Sequence, residues 1–115
     1  MIKDTIESML VQFTVTYTIE VGGTEGLNFS GRYVVITQEY DPVKIVISNS
    51  RSYNVSGNVP AQYVIENAVS VAGMFQKKSE EGTLEVKILE GEELVDSANT
   101  SDAWGAVLVT AVKQR

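Results

Sequence analysis

The chain contains no cysteine and no histidine. Without cysteine, a disulfide framework, a thiolate zinc site and a cysteine nucleophile are all excluded. Without histidine, the commonest general base and the commonest transition-metal ligand are gone as well. Positive charge is scarce: nine Lys and Arg stand against fifteen Asp and Glu, a net charge of -6. A polyanionic nucleic-acid backbone is therefore a poor partner. No apolar run approaches the roughly 20 residues that span a bilayer. The opening MIKDTIESML has no apolar core of the secretory type. The expectation is a protein kept inside, packaged into a particle, or exported with a signal not seen here. Its compartment stays open, with a cell surface or a virion favoured. Helix patterns that alternate with strands, internal repeats and linkers are also lacking.

What is there is alternation. In Val11 to Val21, VQFTVTYTIEV, every odd position is apolar and every even one polar. Strand side chains have a period of two, so Val11, Phe13, Val15, Tyr17, Ile19 and Val21 share one face. The run is long against a usual strand of roughly five or six residues. Thr83 to Leu89 alternates likewise, with Leu84, Val86 and Ile88 on one side and Glu85 and Lys87 on the other. Arg32 to Tyr40 and Val43 to Ser48 read as a hairpin around Asp41-Pro42. Gly22 to Gly26 reads as a loop, and its spacing fits no phosphate-binding fingerprint. Asn49 to Ser52 reads as a polar turn, Tyr53 to Ser56 as a short strand, and Gly57 to Pro60 as a bend. Gln62 to Glu66 and Ala68 to Phe75 read as two apolar runs divided by Asn67, with Gly73 marking a bulge or a close backbone approach. Lys77 to Gly82 reads as a solvated charged loop. Glu90 to Glu92 is a hairpin turn, Glu93 to Ala98 a return strand, and Trp104 to Val112 the closing strand.

Roughly seven or eight short strands with turn signals at this spacing predict one domain over 1-115. The expected class is all-β, an antiparallel two-sheet β-sandwich of immunoglobulin-like type. Phe13, Tyr17, Ile45, Ile47, Val71, Phe75, Val86, Ile88 and Leu108 are the expected core. Before the long strand, Ile2, Ile6, Met9 and Leu10 fall at helical spacing, and Asp4 with Glu7 fits a capping box. Residues 1-10 are thus expected as a short helical turn or arm.

The stretch TLEVKILEGEELVDSANTSDAWGAVLV, Thr83 to Val109, runs strand, acidic-glycine hairpin, return strand and aromatic-Gly closing strand. It resembles the end of small extracytoplasmic immunoglobulin-like accessory domains, of which the MmpS-type small membrane proteins of mycobacteria are one example. VTYTIE, Val15 to Glu20, resembles their opening strand. The resemblance implies the sandwich fold and a surface or envelope role. The membrane anchor and the cysteines of that family have no counterpart here.

No catalytic constellation emerges. Ser79 beside Lys77 and Lys78 could be drawn as a serine-lysine pair, but loop lysines are ordinarily solvated. Glu80/Glu81 and Glu92/Glu93 are adjacent pairs, which point to opposite faces of a strand and cannot converge. Asp96 and Asp102 flank an Asn- and Ser-rich loop with oxygen ligands suited to calcium, yet their spacing fits no calcium loop and favours turn formation. No cofactor is expected. Asn28, Asn54 and Asn99 each open an Asn-X-Ser/Thr tripeptide and are candidate glycosylation acceptors at loops or strand ends. Trp104 reads first as a core residue, with a stacking platform for a ligand as the alternative. The expected function is a structural or interaction module rather than an enzyme: a surface, envelope, filament or virion subunit that self-associates. Its candidate contact residues are Ile2, Ile6, Met9, Leu10, Val11, Phe13 and Trp104. The alternative is a small-molecule or carbohydrate-binding module that uses exposed aromatics.

Overall fold

A computed structural model describes residues 14-41 and 45-113. Seven antiparallel strands account for the described chain, with no helix among the described residues. They are β1 (Val15–Gly23), β2 (Asn28–Asp41), β3 (Ile45–Asn58), β4 (Ala61–Lys77), β5 (Leu84–Glu90), β6 (Glu93–Thr100) and β7 (Ala106–Val112). The protein is all-β and antiparallel. The ladders join all seven strands into one sheet in the order β3-β2-β4-β1-β5-β6, with β7 on β4.

β4 organises this sheet. Its first half pairs with β1, from Val21↔Ala61 to Val15↔Ala68. Its second half pairs with β2 along one edge and with β7 along the other. The changeover falls at two irregularities, one before Ala68 in the β1 ladder and one after it in the β2 ladder. Asn67 lies there with φ +56°. Asn is among the few side chains that tolerate this left-handed conformation. The irregularity in this strand therefore falls at Asn67 and not at Gly73, and the two apolar runs are one 17-residue strand.

Gly73 serves the other purpose considered for it, close approach. Gly31 and Gly73 flank the Phe75 ring, and a Cβ on Gly73 would meet Phe75 Cε2 at 2.8 Å. Without side chains at these two positions the Phe75 ring lies over the β2–β4 ladder and tilts against Phe29, centroids 6.1 Å apart.

The alternation carries into burial. Tyr17, Ile19 and Val21 of β1, Leu84, Val86 and Ile88 of β5, and Val107, Val109 and Ala111 of β7 meet Phe29, Val35, Ile65, Val71 and Phe75 in one core. Tyr17, Val71, Phe75, Val86 and Ile88 are buried as expected. Leu108 is not: it is 61% exposed. Every residue of β7 except Thr110 is apolar, so apolarity alone leaves its phase open. Thr110 fixes it, because the even positions that include Leu108 share the wet side. Phe13 lies outside the described residues, as do the side chains of Ile45 and Ile47. The expected helical turn over residues 1-10 falls outside them too.

The hairpin is longer than the sequence indicates. β2 and β3 have 14 residues each and pair continuously from Asn28↔Asn58 to Asp41↔Ile45. Asn49 to Ser52 is thus strand, not turn, and Tyr53 to Ser56 continues it. Ser and Asn are disfavoured in strands by local preference, but pairing with an apolar neighbour overrides that preference. The bend follows at Val59-Pro60, a cis peptide bond.

Candidate interaction surface

The outer face of β3, β2, β4 and β7 follows from register. Rows across it read Asn54, Arg32, Met74, Leu108; Ser52, Val34, Ala72, Thr110; and Ser50, Ile36, Ser70, Val112. Ile36, Met74, Leu108 and Val112 are large apolar residues in contact with solvent there. β3 contributes Ser48, Ser50, Ser52, Asn54 and Ser56, all exposed. Arg32 donates from Nε and Nη2 to Ser52 Oγ at 3.1 and 2.8 Å. Arg32 is the single charge in these rows, and no carboxylate occurs in them, although the chain holds fifteen. A face with exposed apolar residues and no carboxylate is unusual on so acidic a chain, and exposed apolar surface is a feature of interaction sites.

Trp104 stands beside this face at the turn into β7. It is half-exposed rather than buried, which corrects the core expectation. Its backbone is left-handed at φ +55°, a conformation that costs a bulky residue about 1–3 kcal/mol. Four hydrogen bonds tie the turn to residues 76-79. Trp104 N–H donates to Ser79 O, Gln76 Nε2 to Trp104 O, Lys77 N–H to Gly105 O, and Lys77 Nζ to Asp102 O at 2.8 Å. Lys77 is fully buried under the turn, which corrects its reading as a solvated loop residue. Sequence reasoning missed it because β4 runs on to Lys77, and the inward phase of Val71, Gly73 and Phe75 continues to that position.

On the opposite face of the hairpin, Tyr33 stacks on Tyr53 with centroids 5.1 Å apart and tilts against Tyr63 at 5.6 Å. Burial first, and for Tyr33 its neighbours Tyr53 and Tyr63 second, push the Tyr33 and Tyr63 hydroxyls above their ordinary pKa. Tyr53 is 41% exposed at the sheet edge. No other described strand pairs with the far side of β3.

The remaining candidates separate. Ser79 Oγ donates to Glu81 O, and Lys77 Nζ is held by Asp102 O, so the imagined serine-lysine pair does not assemble. Glu80, Glu81, Glu92 and Glu93 are exposed. Asp96 accepts from Ser97 N–H and, at 2.8 Å, from Thr110 N–H, so its carboxylate ties β6 to β7. Among the described residues no group of three or more acidic side chains is placed to hold a metal ion. A shallow depression over Gly22 is lined by Glu20, Gln62, Glu85 and Lys87, the last two 3.5 Å apart. Asn28, Asn54 and Asn99 are all exposed. Asn28 opens β2 and Asn99 is the last residue but one of β6, both at strand ends, whereas Asn54 lies inside β3; Asn28 also accepts from Asn58 Nδ2 at 2.8 Å. Ile2, Ile6, Met9, Leu10 and Val11 lie outside the described residues. The β3 edge was legible only through the alternation of Ser48, Ser50, Ser52, Asn54 and Ser56 against Arg51, Tyr53 and Val55. No protein-family model and no curated protein matches the chain.

Proposed function

We propose that this chain is a non-enzymatic structural or interaction module that self-assembles through its sheet edges or its N-terminal segment, as a surface, envelope, filament or virion subunit. The observation that carries this reading is the long β2–β3 ribbon, with no described strand along the far side of β3 and with outer-face rows that hold no carboxylate. An isolated two-stranded hairpin is marginal in water. Beyond Thr37, β2 has no β4 partner among the described residues. Exposed strand edges are pairing templates that monomeric proteins usually blunt. The resemblance of Thr83 to Val109 to envelope accessory domains agrees with this role.

Size-exclusion chromatography with light scattering tests the reading. The full chain gives a mass above the 12.6 kDa of one copy. Deleting Met1 to Leu10 lowers that mass if the N-terminal segment contributes to assembly. A monomer at all concentrations contradicts self-assembly.

A second reading has its own observation, the Tyr33, Tyr53 and Tyr63 cluster with Tyr53 open to solvent. Aromatic faces of this kind stack on sugars and other flat ligands. Intrinsic tyrosine and tryptophan fluorescence during titration with oligosaccharides separates it from the first reading, since a pure assembly module gives no saturable change.

A further inference from the structure

The edge of β3 carries little charge. No Asp or Glu stands between Asp41 and Glu66. Along Ser48 to Asn58 the only charge is Arg51, and β3 has no proline and no break in its register with β2. Charge, proline, bulges and short length are the usual devices that keep sheet edges apart. Of these β3 has one arginine. For a chain of net charge -6, most approaches of two copies are repulsive. Approach through β3 brings no carboxylate against another.

We propose that β3 pairs antiparallel with β3 of a second copy, about a two-fold axis at Tyr53. The inference rests on the self-assembly reading and names its interface. A two-fold interface presents the same surface from both copies. Residues opposite each other across an antiparallel pair share a face. With the axis at Tyr53, Ser52 meets Asn54 of the second copy, Ser50 meets Ser56, and Arg51 meets Val55 rather than another Arg51. The two Tyr53 rings come together, each already stacked on its own Tyr33. An axis at Arg51 is poorer: it sets two guanidinium groups against each other, and like charges directly opposite are destabilising. Joined this way, the two outer faces form one continuous sheet surface, with both Ile36–Met74–Leu108 strips on the same side.

The register makes the test specific. In the full chain, Ser50→Glu with Ser56→Glu sets two carboxylate pairs opposite each other across the axis. Ser50→Glu with Ser56→Lys sets opposite charges there instead. Both serines are exposed, and circular dichroism checks that each variant keeps its β-structure. Light scattering is expected to give twice 12.6 kDa for the unaltered chain and for the Glu/Lys variant, and 12.6 kDa for the Glu/Glu variant. The chain has no cysteine, so Tyr53→Cys supplies a single thiol, and oxidation should link two copies directly. Opposed strand residues have Cα atoms about 4.5–5.5 Å apart, within disulfide range. If the unaltered chain is dimeric but the Glu/Glu variant keeps its mass, or Tyr53→Cys does not cross-link, the β3 interface is wrong while self-assembly stands. If the unaltered chain is a monomer at every concentration, self-assembly itself falls, and this interface with it.

Discussion

The Phe75 ring occupies the space that a side chain at Gly31 would need. Any Cβ on Gly31 would strike the ring itself, since Phe75 is directly opposite in the β2–β4 ladder. The ring is fully buried and supports both the core and the hairpin. Phe75→Ala is expected to cost about 3–5 kcal/mol in urea melts, the range for deleting a buried aromatic ring. Gly31→Ala should also destabilise, by overpacking of about 1–3 kcal/mol. The two changes touch the same space, so the double variant should lose less than the sum of the singles. Strict additivity would contradict the contact.

Lys77 is expected to matter for its length more than its charge. Its Nζ donates to Asp102 O, which also accepts from Gly105 N–H. Lys77→Met keeps the stem and leaves that carbonyl one partner, so stability should change by about 1 kcal/mol or less. Lys77→Ala opens a cavity under the turn and should cost about 2–5 kcal/mol, as for other long side chains. Trp104 emission should shift in the alanine variant and not in the methionine one. Equal effects would contradict this division.

Tyr17 gives the fold an alkaline limit. Its hydroxyl is buried without a hydrogen-bond partner among the described residues. Burial first, and the Glu90 carboxylate second, raise its pKa above the ordinary 10.0. Tyr33 and Tyr63 shift the same way. The folded state therefore holds these protons at a pH where the unfolded chain releases them. Their contribution is present in full below the unfolded value and is lost as pH rises through the folded one. Urea midpoints should be flat up to about pH 9.5 and fall beyond, since ordinary tyrosine titrates near 10. Tyr17→Phe should soften that fall. At neutral pH it should stabilise by about 1 kcal/mol, because an unsatisfied buried hydroxyl disappears. A midpoint that rises between pH 10 and 11 would contradict the sign.

Asp96 acts as a tie between β6 and β7 through its bond from Thr110 N–H. Asp96→Ala should cost about 1–3 kcal/mol by leaving that N–H without its carboxylate acceptor. Amide exchange at Thr110 should quicken accordingly. Chelators should leave the melting temperature unchanged, and a drop with EGTA would reopen Asp96 and Asp102 as a calcium pair.

What could be read in advance was set by contrast between faces. β1 and β5 announce themselves because Thr, Glu and Lys alternate with Tyr, Ile, Val and Leu. Their phase was right for every described residue from Tyr17 to Val21 and from Leu84 to Ile88. β7 has almost no contrast, and there Leu108 went to the wrong side. β3 has contrast of an unfamiliar kind, Ser and Asn against Arg, Tyr and Val, so local turn preference masked a strand that pairing with β2 imposes. Trp104 and Lys77 exchanged places between surface and core. Their positions depend on hydrogen bonds between residues 76–79 and 102–105, a long-range contact that no local pattern encodes. The candidate contact surface was legible only in part: Trp104 was singled out, while Arg32, Met74 and the β3 edge emerge only when register sets them side by side.

Self-assembly is the central claim, and solution mass is its most direct measure. Light scattering on the unaltered full chain, over a wide range of concentration at moderate ionic strength, decides it. A mass that exceeds 12.6 kDa is the predicted result. A constant 12.6 kDa up to millimolar chain would contradict the account.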